Sequence, residues 1–227
     1  MPKIKPLNNP FIVVEALDAG GSQTQTNLLV RRFKQAKYQV ASLHFPQENR
    51  ATGRMIYDKF LHRHNDQNFT RREQALLYIQ DFFSRSEEIT LLKKQKRGMH
   101  AIVSDRFCTS TFAYQTIGLT GKNWEKTIQW LEWMCYQDTP ALVQPDLVIF
   151  IDTPVDISLN RLADKKVDYF ENKQKLSAIR NSYLKVAARQ NWAVVSGVDG
   201  SGQERTRPEL ARAIWQLTVD KLNLLHA

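Results

Sequence analysis

The segment FIVVEALDAGGSQTQ, residues 11–25, decides the fold of this chain. It begins with residues that suit a buried strand, passes through a glycine turn and enters a helical stretch. This order is that of a phosphate-binding loop, in which backbone N–H groups at a helix N-terminus hold phosphate oxygens. Such a loop also carries a Lys that contacts the β- and γ-phosphates and a Ser or Thr that holds Mg²⁺. Ser22 and Gln23 occupy those two positions here.

The composition indicates one α/β domain over residues 1–227. The chain has 227 residues, 42% of them hydrophobic, which is enough for a full core. No run approaches the roughly 20 apolar residues of a membrane span, and the first ten residues lack the apolar segment of a signal peptide. Cys108 and Cys135 do not have the spacing of a metal site. We therefore expect a soluble, cytoplasmic protein without a membrane partner.

The net charge of +9 favours polyanions, including nucleotides and nucleic acids. The charge is spread along the chain, however, and its densest cluster, residues 93–97, is interpreted as the solvent-exposed C-terminus of a helix. An alternative is that this cluster binds RNA. Because no module of interleaved aromatic and basic residues accompanies it, a nucleic-acid partner is not expected.

Strand-like and helical segments alternate along the chain. The predicted strands are residues 11–15, 39–45, 99–105, 147–153 and 192–197, and the predicted helices include 24–35, 53–61, 71–96, 124–136, 168–190 and a last helix that starts near Pro208. Near-continuous apolar strands between helices predict an α/β fold with a five-stranded parallel sheet and helices on both faces. Ligands of such sheets bind at the carboxyl ends of the strands. That rule brings four segments to one crevice, residues 18–24, 44–50, 105–115 and 152–168.

The segment DRFCTSTFAYQ, residues 105–115, resembles the DRYxxSxxAYQ signature of thymidylate kinases. EALDAGGSQTQ (15–25) is similar to the EGxDGxGKSTQ loop of that family, and LHFPQENRATG (43–53) to the end of its second strand. Residues 145–162 resemble its fourth strand, and 168–187 the helix after its lid. The resemblance covers nearly the whole chain. It implies a P-loop NTPase fold of the nucleoside monophosphate kinase type, with a lid at about residues 160–170.

On the acceptor side, the resemblance implies that Arg106 grips the acceptor phosphate with a forked guanidinium, next to Asp105. It places Asp18 where a carboxylate positions the acceptor, and Ser110 and Gln115 near the base and sugar. The alternative for Asp105 and Arg106 is a structural ion pair at a strand end. The full predicted substrate-binding set is Phe45, Arg50, Tyr78, Phe82, Arg85, Asp105, Arg106, Ser110, Tyr114 and Gln115.

The helix that should present the base-stacking aromatic residue fits the family pattern in two registers. If Tyr78 stacks on the base, Phe82 replaces the arginine expected four residues later. In the other register Arg85 is that arginine and Asp81 replaces the aromatic residue. Arg50 is the nearest arginine after the second strand and lies two residues beyond the expected position. Both registers stay open, as does the possibility that these aromatic side chains belong to the core.

The donor side departs from the family at several positions. Ala16 and Ala19 replace loop glycines, Ser22 removes a positive charge, and Gln23 removes the hydroxyl that holds Mg²⁺. Thr24 lies one residue too late to replace that hydroxyl. The predicted phosphate loop comprises Ala19, Gly20, Gly21, Ser22, Gln23 and Thr24.

Replacement cations are expected from the lid. Arg161, Lys165 and Lys166 are the candidates, although the two lysines also fit a solvent-exposed lid face. Asp152 is a candidate contact to Mg²⁺ through water, and the alternative is a helix cap.

The resemblance implies transfer of a phosphoryl group from ATP with Mg²⁺ to a nucleoside monophosphate, dTMP, giving dTDP, in a homodimer. The altered loop predicts slow transfer or a remodelled ATP site. The alternatives are a catalytically inactive nucleotide-binding protein of the same fold and, with less support, a nucleic-acid-associated scaffold.

Overall fold

The fold is built around strand β1 (Phe11–Ala16), the middle strand of a five-stranded sheet. All residues of β1 are buried, as expected for a strand with helices on both faces. The computed structural model describes residues 9–61, 69–96, 98–138, 140–162 and 173–224. Within these residues, no helix is both long and apolar enough to cross a membrane.

The other strands are β2 (Gln39–His44), β3 (His100–Asp105), β4 (Leu147–Asp152) and β5 (Ala193–Ser196). Their order is β2-β3-β1-β4-β5, and every neighbouring pair is parallel. The predicted five-stranded parallel sheet is therefore confirmed. Because all the strands point the same way, the segments that follow β1 to β4 lie along one edge of the sheet.

The helices connect successive strands and cover the sheet. Their bounds are α1 (Ser22–Gln35), α2 (Ala51–Ile56, continued by a π-helical turn, Tyr57–Leu61), α3 (Arg71–Phe83), α4 (Ser86–Lys94), α5 (Cys108–Gln115), α6 (Gly121–Glu132, continued by a π-helical turn, Trp133–Gln137), α7 (Val155–Leu162), α8 (Lys173–Arg189) and α9 (Arg207–Leu222). Capping boxes fix the start of α3, through Thr70 and Glu73, and of α9, through Thr206 and Glu209.

The single helix predicted over residues 71–96 is wrong, because α3 ends at Phe83 and α4 begins at Ser86. The hydroxyl of Ser84 donates to the carbonyl of Asp81 (2.6 Å), and that of Ser86 donates to the carbonyl of Phe83 (2.9 Å). Such local bonds compete with helical backbone pairing. Apolar spacing continues across the break, so periodicity alone does not show it.

Alternate residues of the central strand β1 pack into two separate hydrophobic cores. Phe11 and Val13 pack in a cluster with buried residues of α3, α5 and α6, whereas Ile12 and Val14 pack with residues of α1 and α9. This alternation is that of a strand in which successive side chains point to opposite faces. Helices therefore cover both faces of the sheet, as the sequence predicted.

Gly53, in α2, lies directly against the backbone of Gln47, in the loop after β2. A Cβ atom at Gly53 would collide with the carbonyl of Gln47 and lie 2.6 Å from its nitrogen. We expect Gly53→Ala to lower the free energy of unfolding by about 1–3 kcal/mol through this overpacking. Urea denaturation would measure the change. Gly200→Ala is the matched control, because its added Cβ has no heavy atom of the described residues within 4 Å, apart from those of Gly200 and its two chain neighbours. Equal stability of the two variants would contradict the account.

Candidate active site

A cavity of about 510 Å³ opens where β1, β2 and β3 end. This volume lies within the range of small-molecule sites, about 300–1,000 Å³. The structure brings these predicted site residues to its wall: Asp18, Phe45, Tyr78, Phe82, Arg106, Ser110, Tyr114 and Gln115. Arg50, Arg85 and Asp105 are not among the residues that line it.

Arg106 and Asp18 form an ion pair on the cavity wall. The Arg106 Nη2 donates to Asp18 Oδ1 (2.7 Å), and the Tyr114 hydroxyl donates to Asp18 Oδ2 (3.1 Å). The Arg106 Nη1 donates to the hydroxyl of Tyr183 (3.0 Å). The backbone of Arg106 is left-handed (φ 63°), a strained conformation for a residue other than glycine. The partner of Arg106 is thus Asp18, and the alternative of an Asp105–Arg106 ion pair is wrong because Asp105 pairs with His44.

Glu15, at the end of β1, is a fully buried carboxylate that anchors two helices. It accepts hydrogen bonds from Thr109 (2.6 Å) and Ser110 (2.6 Å) of α5 and from Tyr183 (3.0 Å) of α8. Burial raises the pKa of Glu15, and the charge of Arg106 and these hydroxyl donors partly offset that rise. The Ser110 hydroxyl, predicted near the base and sugar, is therefore bound to Glu15, although Ser110 also lines the cavity.

The structure separates the two predicted registers for the base-stacking residue, Tyr78 with Phe82 and Asp81 with Arg85. Tyr78 lines the cavity, and its ring stacks on Phe60 with centroids 6.1 Å apart. Phe82 is nearly fully buried and also borders the cavity. Arg85 pairs with Glu88. Asp81 is buried and accepts hydrogen bonds from the backbone N–H of Gln47 (2.8 Å) and the hydroxyl of Thr52 (2.6 Å). Only the register with Tyr78 places an aromatic ring at the cavity.

Sequence reasoning gave no role to several polar residues of the cavity. His44 is the last residue of β2 and lines the cavity. Arg71 is the first residue of α3, also lines the cavity, and donates to the carbonyl of Ile117 (2.8 Å). Tyr57, Gln74 and Lys175 also line the wall. The sequence signal that could have placed His44 at the cavity was the position of residues 44–50 at the end of a predicted strand. For the others, no motif pointed to the cavity.

The donor loop is compact and strained. Ala19 (φ 54°) and Gly21 (φ 99°) both have left-handed backbones. The carbonyl of Gly20 accepts a hydrogen bond from Thr153 (3.1 Å), which ties the loop to the end of β4. Helix α1 begins at Ser22, two residues before the predicted start. Ser22 is mostly buried, whereas Gln23 and Thr24 are exposed.

Arg161 brings a guanidinium to this loop. Its Nη1 donates to the carbonyl of Ala19 (2.8 Å), and its Nη2 pairs with Glu204 (2.6 Å). The Nη1 atom lies 3.6 Å from the position that a Cβ of Gly21 would take. Lys165 and Lys166, with most of the predicted lid, lie outside the described residues.

The donor side offers a poor set of ligands for Mg²⁺. Both carboxylate oxygens of Asp152 accept from Arg180, at 2.6 and 2.8 Å, so the charge predicted to act on a metal is already paired. Gln23 presents an amide where the related loop has a hydroxyl. Among the residues that the structure describes, no three His, Cys, Asp or Glu side chains are grouped to hold a metal. The described residues therefore do not form an all-protein Mg²⁺ site, and a Mg²⁺ ion here would be held chiefly by substrate phosphates and water.

A parallel sheet with a loop–helix turn after β1 and a cavity at its carboxyl edge is the arrangement of a nucleotide-binding α/β protein. Residues 14–207 match the family model for thymidylate kinase. The thymidylate kinase of Thermosipho africanus is 30% identical over 194 residues, covering 82% of this chain and 89% of that protein. The probable thymidylate kinase of Thermococcus onnurineus is 30% identical over 187 residues, covering 79% and 84%. The chain belongs to the thymidylate kinase family.

A solved structure supports the fold independently. The structure of thymidylate kinase from Candida albicans matches this chain with a TM-score of 0.70 at 20% sequence identity. The match covers 97% of this chain and 96% of that one. The predicted fold class, a P-loop NTPase fold of the nucleoside monophosphate kinase type, is confirmed.

The buried Glu15 predicts a pH dependence of stability. Because its pKa is raised in the folded state, the folded protein binds more protons than the unfolded chain above about pH 4.5. The contribution of Glu15 to the free energy of unfolding is therefore lost as pH rises from about 4.5 through the raised pKa. We expect the stability difference, wild type minus Glu15→Gln, to fall over this range in urea denaturation.

Glu73→Gln is the matched control for that experiment. Hydrogen bonds from the backbone and hydroxyl of Thr70 lower the pKa of Glu73. Its contribution is present above about pH 4.5 and is lost as pH falls through the lowered pKa. The difference, wild type minus Glu73→Gln, should therefore rise with pH below about 4.5. A difference for Glu15→Gln that stays constant or rises with pH would contradict the assignment.

Proposed function

We propose that this protein is a nucleoside monophosphate kinase that transfers the γ-phosphoryl group of ATP to dTMP, giving dTDP, at a slow rate. The observation that carries the proposal is the Arg106–Asp18–Tyr114 arrangement on the wall of a cavity beside the loop after β1. Membership of the thymidylate kinase family supports dTMP as the acceptor and ATP as the donor. The homodimer and the cytoplasmic location remain predictions.

In this proposal Arg106 binds the acceptor phosphate. Asp18 and the Tyr183 hydroxyl hold its guanidinium in place before substrate arrives, which reduces the entropy lost on binding. Other N–H groups of the fork then face the phosphate oxygens. Tyr78 supplies an aromatic surface at the cavity for the base. An oxygen of the bound phosphate then attacks the γ-phosphorus in line, the bond from that phosphorus to the β–γ bridging oxygen breaks, and ADP leaves.

The slow rate follows from the donor loop. The loop lacks the Lys charge at Ser22, and losing one preorganised group that stabilises developing charge costs roughly 3 kcal/mol, about a hundredfold in rate. Arg161 donates to the carbonyl of Ala19 in the loop, and we assign its charge to the transferred phosphoryl group. The family implies Mg²⁺ with ATP, but no step here depends on a metal held by the described residues.

The second candidate is a catalytically inactive nucleotide-binding protein. The observation in its favour is that the donor side has changed at several points together. Ser22 and Gln23 replace the two chemical groups of the loop, and Asp152 is paired with Arg180. Such a protein would bind the monophosphate and leave ATP unused.

We expect Ser22→Lys with Gln23→Ser to raise turnover about a hundredfold, because the variant restores the charge and the hydroxyl at the loop. Release of ADP from ATP and Mg²⁺, coupled to an optical signal and dependent on dTMP, is the measurement. Arg106→Gln, placed in the wild type and in the double variant, is the control and should remove the dependence on dTMP in both. Unchanged turnover in the double variant would show that these two positions do not limit the rate.

A further inference from the structure

Three side chains form a hydrogen-bonded chain beside the cavity. The Nδ1 of His44 lies 2.9 Å from Asp105 Oδ2, and its Nε2 lies 3.3 Å from the hydroxyl of Tyr57. His44 and Tyr57 line the cavity, and the carboxylate of Asp105 stands at one end of the chain.

The contact between His44 and Asp105 is an ion pair when the imidazole carries a proton on each nitrogen. In that state Nδ1–H donates to Asp105, and Nε2–H is directed to the Tyr57 oxygen. This assignment gives Nε2 a hydrogen that it can donate to a ligand in the cavity.

The burial of Asp105 supports the same assignment. Asp105 is 4% exposed, and its Oδ1 has no hydrogen-bond partner among the residues that the structure describes. A buried carboxylate needs a counter-charge. The guanidinium of the adjacent Arg106 is directed to Asp18 and Tyr183 instead. His44 is the residue that forms an ion pair with Asp105.

His44 also lies next to the residue assigned to the acceptor phosphate. His44 and Asp105 are register partners in β2 and β3, so Arg106 is one residue beyond the partner of His44. Both His44 and Arg106 line the cavity, and the His44 side chain is 43% exposed. We propose that protonated His44 is a second cation of the acceptor-phosphate site, where its Nε2–H exchanges the Tyr57 hydroxyl for a phosphate oxygen. This inference rests on the proposed function.

The two hydrogen bonds of the His44 ring fit an exchange of the Tyr57 hydroxyl for a phosphate oxygen. The 2.9 Å bond to Asp105 is of ordinary length and keeps the ring oriented, whereas the 3.3 Å contact to Tyr57 is longer than most N–H···O bonds and is the easier one to give up. The other charged residues that line the cavity are Asp18, Lys59, Arg71, Arg106 and Lys175.

Calorimetric titration of dTMP into the wild type, His44→Lys and His44→Gln tests the inference. We expect wild type to bind dTMP about tenfold more tightly than His44→Gln, because the glutamine side chain carries no charge to pair with the phosphate. His44→Lys should keep the tighter binding, because it restores a cation at this position.

Three outcomes separate the inference from the proposed function. Equal affinity of wild type and His44→Gln for dTMP, with binding present, would overturn the role of His44 alone. Absence of dTMP binding by the wild type would overturn the proposed function and the inference with it. His44→Gln with Asp105→Asn is the folding control, because it removes the buried charge that His44→Gln leaves unpaired. Its affinity should match that of His44→Gln, and affinity equal to wild type would also overturn the inference.

Discussion

The candidate site depends on one buried carboxylate, Glu15. It lies at the end of the central strand, and the hydroxyls of Thr109 and Ser110 fix the start of α5 against it. Tyr183 of α8 donates to the same carboxylate and accepts from Arg106. An isolated charge in such a place would cost several kcal/mol, and these donors offset that cost. Glu15 thereby links strand β1, two helices and the guanidinium on the cavity wall.

The two halves of the site have different characters. On the acceptor side, buried hydrogen bonds position Arg106, Asp18 and Tyr114 around a cavity of nucleotide size. On the donor side, the loop keeps its turn and its helix but lacks the Lys, and Arg161, which contacts the loop at Ala19, is shared with Glu204. The turn needs only backbone geometry, whereas phosphoryl transfer needs particular side chains. A loop can thus retain its shape after losing the groups that act on ATP.

The sequence predicted the sheet well because near-continuous apolar strands leave few alternatives for a chain of this length. It failed at the break between α3 and α4, which depends on hydroxyl bonds of Ser84 and Ser86 that apolar spacing does not reveal. The family signature identified Arg106 and Tyr114 as site residues, and both line the cavity. His44 was missed because its role depends on Asp105, which lies 61 positions away in the chain and becomes a neighbour only through strand pairing.

The central claim is that the acceptor half works while the donor half is impaired. The most direct measurement is calorimetric titration of the wild-type protein with dTMP and, separately, with ATP and Mg²⁺, followed by detection of ADP from the mixture. The account predicts clear binding of dTMP, weaker binding of ATP and slow, dTMP-dependent release of ADP. Tight ATP binding with no affinity for dTMP would contradict it, because the cavity that contains Arg106 would then not be the acceptor site.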